Sequence, residues 1–128
     1  MTGKVDWEKK ADRMVQVFSS SLADAPMAYT QFLNFLDFFW GPSQEIVIAG
    51  DPGGMESQAA TAMIQKRFQP SKVVLFKPED DQGQRLSTLC PFVAGMGPVG
   101  GKTTVFICEG FSCKAPLTDL AALQAALG

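Results

Sequence analysis

The fold is decided by the stretch EIVIAGDPGG, which spans Glu45 to Gly54. Its first half is a continuous apolar run rich in β-branched residues, and its second half carries turn-forming residues, so it predicts a strand that ends near Gly50. A strand without polar alternation is typical of a sheet that is covered on both faces. We therefore expect this strand to lie at the centre of an α/β domain.

The sequence after Pro42 continues as an alternation of strands and helices. Two further strands are predicted at Lys72–Lys77 and Thr103–Cys108, and three helices at Met55–Phe68, Gln84–Leu89 and Asp119–Leu127, the last capped by Thr118. Such alternation predicts a parallel sheet with crossover helices. The expected fold over residues 43–128 is a small three-layer, Rossmann-like βαβαβα unit with a short, mainly parallel three-stranded sheet in the order 2-1-3.

Residues 5–40 predict two helices that form a hairpin within the same single domain, 1–128. Apolar residues recur at helical spacing from Trp7 to Leu22, and a second helix begins at Pro26, a favoured first helical position. On that second helix Phe38 falls on the side opposite Tyr29. The apolar arc is wider than one core contact requires, so we expect another protein surface or a second copy of the chain to cover it.

The composition removes several classes of function. The 128 residues include no His, which excludes Ser–His and Cys–His nucleophile pairs and His-ligated metal sites within this chain. The net charge of -2 gives no support for nucleic-acid binding. The longest apolar run, Phe32–Trp40, falls short of the ~20 residues that a membrane span needs. A polar N-terminus and 3 irregularly spaced Cys favour a cytoplasmic protein without a disulfide framework, a metal or a cofactor.

Two loops at the expected carboxyl ends of the strands form the candidate ligand site, because ligands of open α/β sheets bind at that edge. Their residues are Asp51, Gly53 and Gly54 in the first loop, and Cys108, Glu109 and Cys113 in the second. In a parallel sheet Asp51 and Glu109 would face each other across the strand ends. The plainer interpretation of the first loop is a turn, since Asp51 and Glu56 would repel a phosphate.

The two cysteines of the second loop have four interpretations. They could be a redox pair, a reactive thiol, half of a metal site, or two small structural side chains. Four residues separate Cys108 from Cys113, whereas redox and zinc motifs separate their cysteines by two. The structural interpretation is therefore favoured, and the others stay open.

Three segments resemble the C-terminal region of the spermatogenesis-associated, thioredoxin-domain-containing protein family. They are Pro42–Asp51, Lys72–Leu75 and Val105–Pro116, the last followed by Thr118 and Asp119. The resemblance covers nearly the whole chain, and its most specific part is the cysteine segment. It implies a much longer parent in which a thioredoxin-like domain and an α/α toroid, similar to six-hairpin glycosidases, precede this region.

The resemblance also implies that residues 5–40 are the end of the toroid and that no catalytic residue of the family lies in this chain. The leading hypothesis is a non-catalytic accessory domain whose partner is the toroid. The alternatives are a small-ligand binding module at the strand ends and, less favoured, a redox or metal role for the cysteines. In isolation the chain is expected to form a homodimer through its N-terminal helices.

Overall fold

The computed structural model describes residues 5–110 and 112–127. Two helices come first: α1, Val5–Asp24, and α2, Thr30–Trp40, joined by a 3₁₀ turn at Pro26–Tyr29. The remaining elements, in chain order, are β1 Gln44–Ala49, α3 Met55–Lys66, β2 Lys72–Lys77, α4 Asp81–Leu89, a 3₁₀ turn Pro91–Val93, β3 Thr104–Glu109, β4 Ser112–Cys113 and α5 Leu120–Leu127. The predicted helices and strands are present, with ends displaced by a few residues.

The sheet differs from the prediction. It has four strands in the order β2-β1-β3-β4, and only β1 and β2 are parallel. β3 runs antiparallel to β1, with Ile46 opposite Ile107, and β4 is a short antiparallel strand that the sequence did not predict. The α/β class holds, but the expected three-stranded, mainly parallel sheet is wrong.

The direction of β3 follows from the path of the chain after α4. The Lys77 ammonium, at the carboxyl end of β2, donates to the carbonyl oxygens of Val93, Ala94 and Met96 at 2.8, 3.0 and 2.5 Å. These bonds hold the returning chain at the edge of the sheet where β1 and β2 end. β3 therefore starts at that edge, with Thr104 opposite Ala49, and must run back antiparallel to both strands.

The core has two layers, one on each face of β1. One cluster joins Ile46 and Ile48 to residues of α3, β3 and α5, including Ile64 and Leu123. The second joins Val47 and Ala49 to β3 and to the segment after α4: Cys90, Val93, Met96, Phe106 and Cys108. The predicted burial of β1 on both faces is confirmed, because residues 46–49 are each 0% exposed.

The two N-terminal helices take little part in this core. Among the described residues of α1 only Leu22 is buried, and α2 has no buried residue. Both helices make their principal contacts with the 3₁₀ turn between them. A series of ring contacts runs through the hairpin, from Phe18 with Tyr29 and Phe32 to Phe35, Phe39 and Trp40. None of the described helices has both the length and the apolar character that crossing a membrane requires.

Candidate functional site

The loop after β1 is a hydrogen-bonded turn. The carboxylate Oδ1 of Asp51 accepts the backbone N–H of Gly53 at 2.9 Å, and the Asp51 carbonyl accepts that of Gly54 at 3.0 Å. Gly54 then caps α3 with extended backbone geometry, without a side-chain cap. Asp51, Gly53 and Gly54 therefore bond to one another, which accounts for the turn without a ligand.

Gly50 packs closely against two hydroxyl groups next to this turn. A Cβ at Gly50 would lie 3.0 Å from both Ser57 Oγ and Thr103 Oγ1, which share a hydrogen bond of 2.9 Å. Ser57 is only 1% exposed. The bond ties α3 to the segment that enters β3, so the absence of a side chain at Gly50 is a packing requirement.

The cysteine loop is a hairpin closed by a disulfide. Cys108 on β3 lies directly opposite Cys113 on β4, and their Sγ atoms are bonded at 2.07 Å. Glu109 pairs with Ser112, and Gly110 follows with a φ of 53°. The two cysteines are therefore a bonded pair, while Cys90 lies buried in the same core cluster as Cys108.

The two candidate loops lie at opposite ends of β1. Because β3 is antiparallel to β1, Glu109 is opposite Gln44, the first residue of β1, whereas Asp51 follows its last. The length of β1 places roughly 20 Å between the two carboxylates. Glu109 instead accepts the Gln44 side-chain amide at 2.6 Å and lies 3.9 Å from the Lys114 ammonium. The expected pairing of Asp51 and Glu109 is therefore wrong, and the six predicted residues do not form one site.

Another concave surface lies elsewhere, between α1 and α2. This groove, of about 710 Å³, is lined mainly by apolar and aromatic side chains, among them Trp7, Met14, Tyr29, Phe32 and Phe35. We call it the hairpin groove. The sequence does not predict a groove, although the wide apolar arc of the second helix is the signal for it.

Smaller cavities of about 320 Å³ and 270 Å³ lie beside the carboxyl end of β2 and beside the segment that enters β3. Lys77 lines the first of them, but its ammonium has three donors and all three bond to backbone carbonyls. This lysine is a structural residue that the sequence did not single out. In residues 5–110 and 112–127 no group of three or more His, Cys, Asp or Glu side chains is placed to hold a metal ion.

The chain is similar to spermatogenesis-associated protein 20 of three mammals. It is 29% identical to the protein of Rattus norvegicus over 93% of this chain and to that of Mus musculus over 92%. Identity to the protein of Homo sapiens is 26% over 92% of this chain. No protein-family model matches the chain. No solved structure matches it.

The match covers only part of these relatives. The chain spans 15% of the length of each of the three proteins. The resemblance to the spermatogenesis-associated proteins that the sequence indicates is thus confirmed: this chain is similar to one segment of a much longer protein.

Proposed function

We propose that the chain is a non-catalytic accessory domain that docks onto the rest of a larger protein through α1 and α2. The observation that carries the proposal is the hairpin groove, whose wall is mainly apolar and open to solvent. Monomeric soluble proteins seldom expose a continuous apolar surface of this kind, and such surfaces mark protein contacts.

The exposed side chains are large, and the core of the domain does not use them. On α1, Trp7 is 58% and Met14 is 51% exposed, and Trp40 at the end of α2 is 68% exposed. The two buried clusters around β1 draw no member from either helix. A partner that covers the groove would therefore bury additional apolar surface, and the core around the sheet would not have to repack.

The occupant that we propose is a helical face of the larger protein. The relatives extend far beyond the matching segment, since the chain spans 15% of their length. The family resemblance implies an α/α toroid next to this segment, and the apolar face of such a helix suits a groove between two helices. We assign no reaction to this chain. We propose that it is located in the cytoplasm.

A binding assay with a matched pair of variants tests this proposal. The partner is the rat spermatogenesis-associated protein 20 without the segment that matches this chain, and the rat segment itself is the positive control. Met14→Lys should weaken binding by about tenfold or more, because a charge then enters an apolar contact. Isothermal titration calorimetry measures both dissociation constants.

Met55→Lys is the control variant. Met55 is 87% exposed at the start of α3, away from the hairpin groove, and the chemical change is the same. Binding of this variant should equal that of the unchanged chain. If the rat segment binds but this chain does not, or if both Met variants weaken binding equally, docking through the hairpin groove is ruled out.

In the absence of the larger protein we expect the isolated chain to associate through the same helices. Phe38 on α2 is 40% exposed, and a symmetric dimer is the commonest form in which a second copy covers such a surface. Phe38→Asp should shift the monomer–dimer equilibrium towards monomer, since burying an unpaired carboxylate is costly. Sedimentation velocity over a concentration series measures this, and a strictly monomeric unchanged chain would refute the dimer.

A further inference from the structure

We propose that the hairpin formed by β3 and β4 is a thiol–disulfide exchange site whose co-reactant is a dithiol. The reactive group is the Cys108–Cys113 disulfide. This proposal does not depend on docking, because the hairpin shares no residue with α1, α2 or the hairpin groove.

The two ends of the disulfide differ in their access to solvent. Cys113 is exposed on the short outer strand β4, whereas Cys108 is 0% exposed and belongs to the core cluster behind β3. An attacking thiolate approaches a disulfide in line with the bond it breaks, so it can reach only the Cys113 sulfur from solvent. Cys108 is then the leaving sulfur.

Backbone hydrogen bonds also hold the hairpin in place beside this bond. The Lys114 N–H donates to the Ile107 carbonyl at 2.9 Å, and Val105 and Leu117 exchange two backbone hydrogen bonds of 2.8 and 2.9 Å. These bonds keep the outer segment on β3 when the sulfurs separate. The disulfide also closes a very short loop, with a separation of five residues, and short loops gain the least stability from a cross-link. The bond is therefore better suited to reversible opening than to stabilisation.

The exchange balances in two steps. One thiolate of the dithiol forms a bond to Cys113 Sγ, and Cys108 Sγ leaves with the electron pair of the broken bond and takes up a proton. The second thiolate of the dithiol then attacks the dithiol's first sulfur, which is bonded to Cys113 in the mixed disulfide. Cys113 leaves and takes up a proton to become a thiol. Two electrons and two protons pass to the cysteine pair, and the dithiol becomes a disulfide.

The pairing of Cys108 with Cys113 across β3 and β4 favours reduction by a dithiol over reduction by a monothiol. After the first step the Cys108 thiol lies directly opposite the mixed disulfide on Cys113, so it can re-form the original bond and expel the attacking thiol. A monothiol must wait for a second molecule to complete the reduction, whereas a dithiol completes it intramolecularly. In a reducing compartment such as the proposed cytoplasm, disulfides are typically of this transient kind.

The test uses the air-oxidised full chain carrying Cys90→Ala, so that Cys108 and Cys113 are the only cysteines that can be alkylated. The chain is reduced with dithiothreitol or with glutathione at equal thiol concentration. Each reaction is quenched with iodoacetamide, and mass spectrometry measures the alkylated cysteines. Circular dichroism measures whether the chain stays folded. We expect dithiothreitol to reduce the folded chain about tenfold faster or more. In the glutathione reaction the trapped mixed disulfide should be on Cys113 and not on Cys108, with the circular dichroism spectrum unchanged.

Three results would overturn the proposal. The first is a pair that remains reduced in air, the second is a disulfide that opens only when the chain unfolds, and the third is equal reduction by the two reagents. The variant Cys113→Ala sets the baseline, since it cannot form the bond and should consume no dithiothreitol. If it consumes as much as the chain with both cysteines, the oxidation arises elsewhere.

Discussion

Replacing Gly83 by Ala should lower the free energy of unfolding by about 3 kcal/mol. Gly83 is buried in the first turn of α4, where a Cβ would lie 1.9 Å from the carbonyl oxygen of Pro78. The clashing atom belongs to the backbone, so the helix must move away from the end of β2 to accommodate the methyl group. That movement would also strain the cap, in which Asp80 Oδ1 accepts the N–H groups of Gln82 and Gly83.

Urea denaturation followed by circular dichroism measures this loss. Gly95→Ala is the matched control, because a Cβ there would meet no atom within 4 Å. Its effect should lie within about 0.5 kcal/mol of zero. If the two variants unfold at the same urea concentration, the close approach of α4 to Pro78 does not exist in solution.

Lys77→Met should cost about 2 kcal/mol of stability. The methionine keeps the unbranched shape of the side chain, one atom shorter, but cannot donate, so the carbonyls of Val93, Ala94 and Met96 lose their shared partner. The Val93 carbonyl keeps its bond from the Met96 N–H at 3.0 Å, but the part-buried Met96 carbonyl loses the ammonium. The segment that leads into β3 also loses its attachment to β2.

Lys9→Met on α1 provides the comparison for this variant. Lys9 is exposed, so the same chemical change should alter stability by less than about 0.5 kcal/mol. Thermal unfolding by calorimetry distinguishes the two. Equal melting temperatures for Lys77→Met and the unchanged chain would show that the carbonyl bonds do not determine how the chain enters β3.

The sequence predicted what depends on local pattern. The apolar run at Ile46–Ala49 predicted a strand buried on both faces, because any polar side chain there would have indicated a solvated face. The direction of β3 was beyond the same reasoning. It depends on where the chain returns after α4, and there Lys77 bonds to residues 93–96, a long-range contact without a local signature.

The candidate site was predicted less well, for a related reason. Because β3 runs antiparallel to β1, Glu109 and Asp51 lie at opposite ends of β1. The wrong direction predicted for β3 therefore placed two separate loops in one site. The pairing of Cys108 with Cys113 depends on a chain reversal between them. Gly110, with a φ of 53°, was the available signal, since glycine adopts that geometry without strain.

The exposure of Phe38 was predicted correctly, because it follows from helical periodicity alone. The hairpin groove required more than periodicity. Its depth depends on the angle between α1 and α2, which the 3₁₀ turn at Pro26–Tyr29 determines. A turn of that type was not predicted from Pro26, which indicated only a helix start.

Docking through α1 and α2 is tested most directly by hydrogen–deuterium exchange of the chain with and without the truncated rat relative. We expect amide exchange in both helices to slow by about tenfold or more on binding, while exchange in α3 and β1 does not change. Slower exchange at Asp51–Gly54 or at the β3–β4 hairpin, with α1 and α2 unaffected, would contradict it.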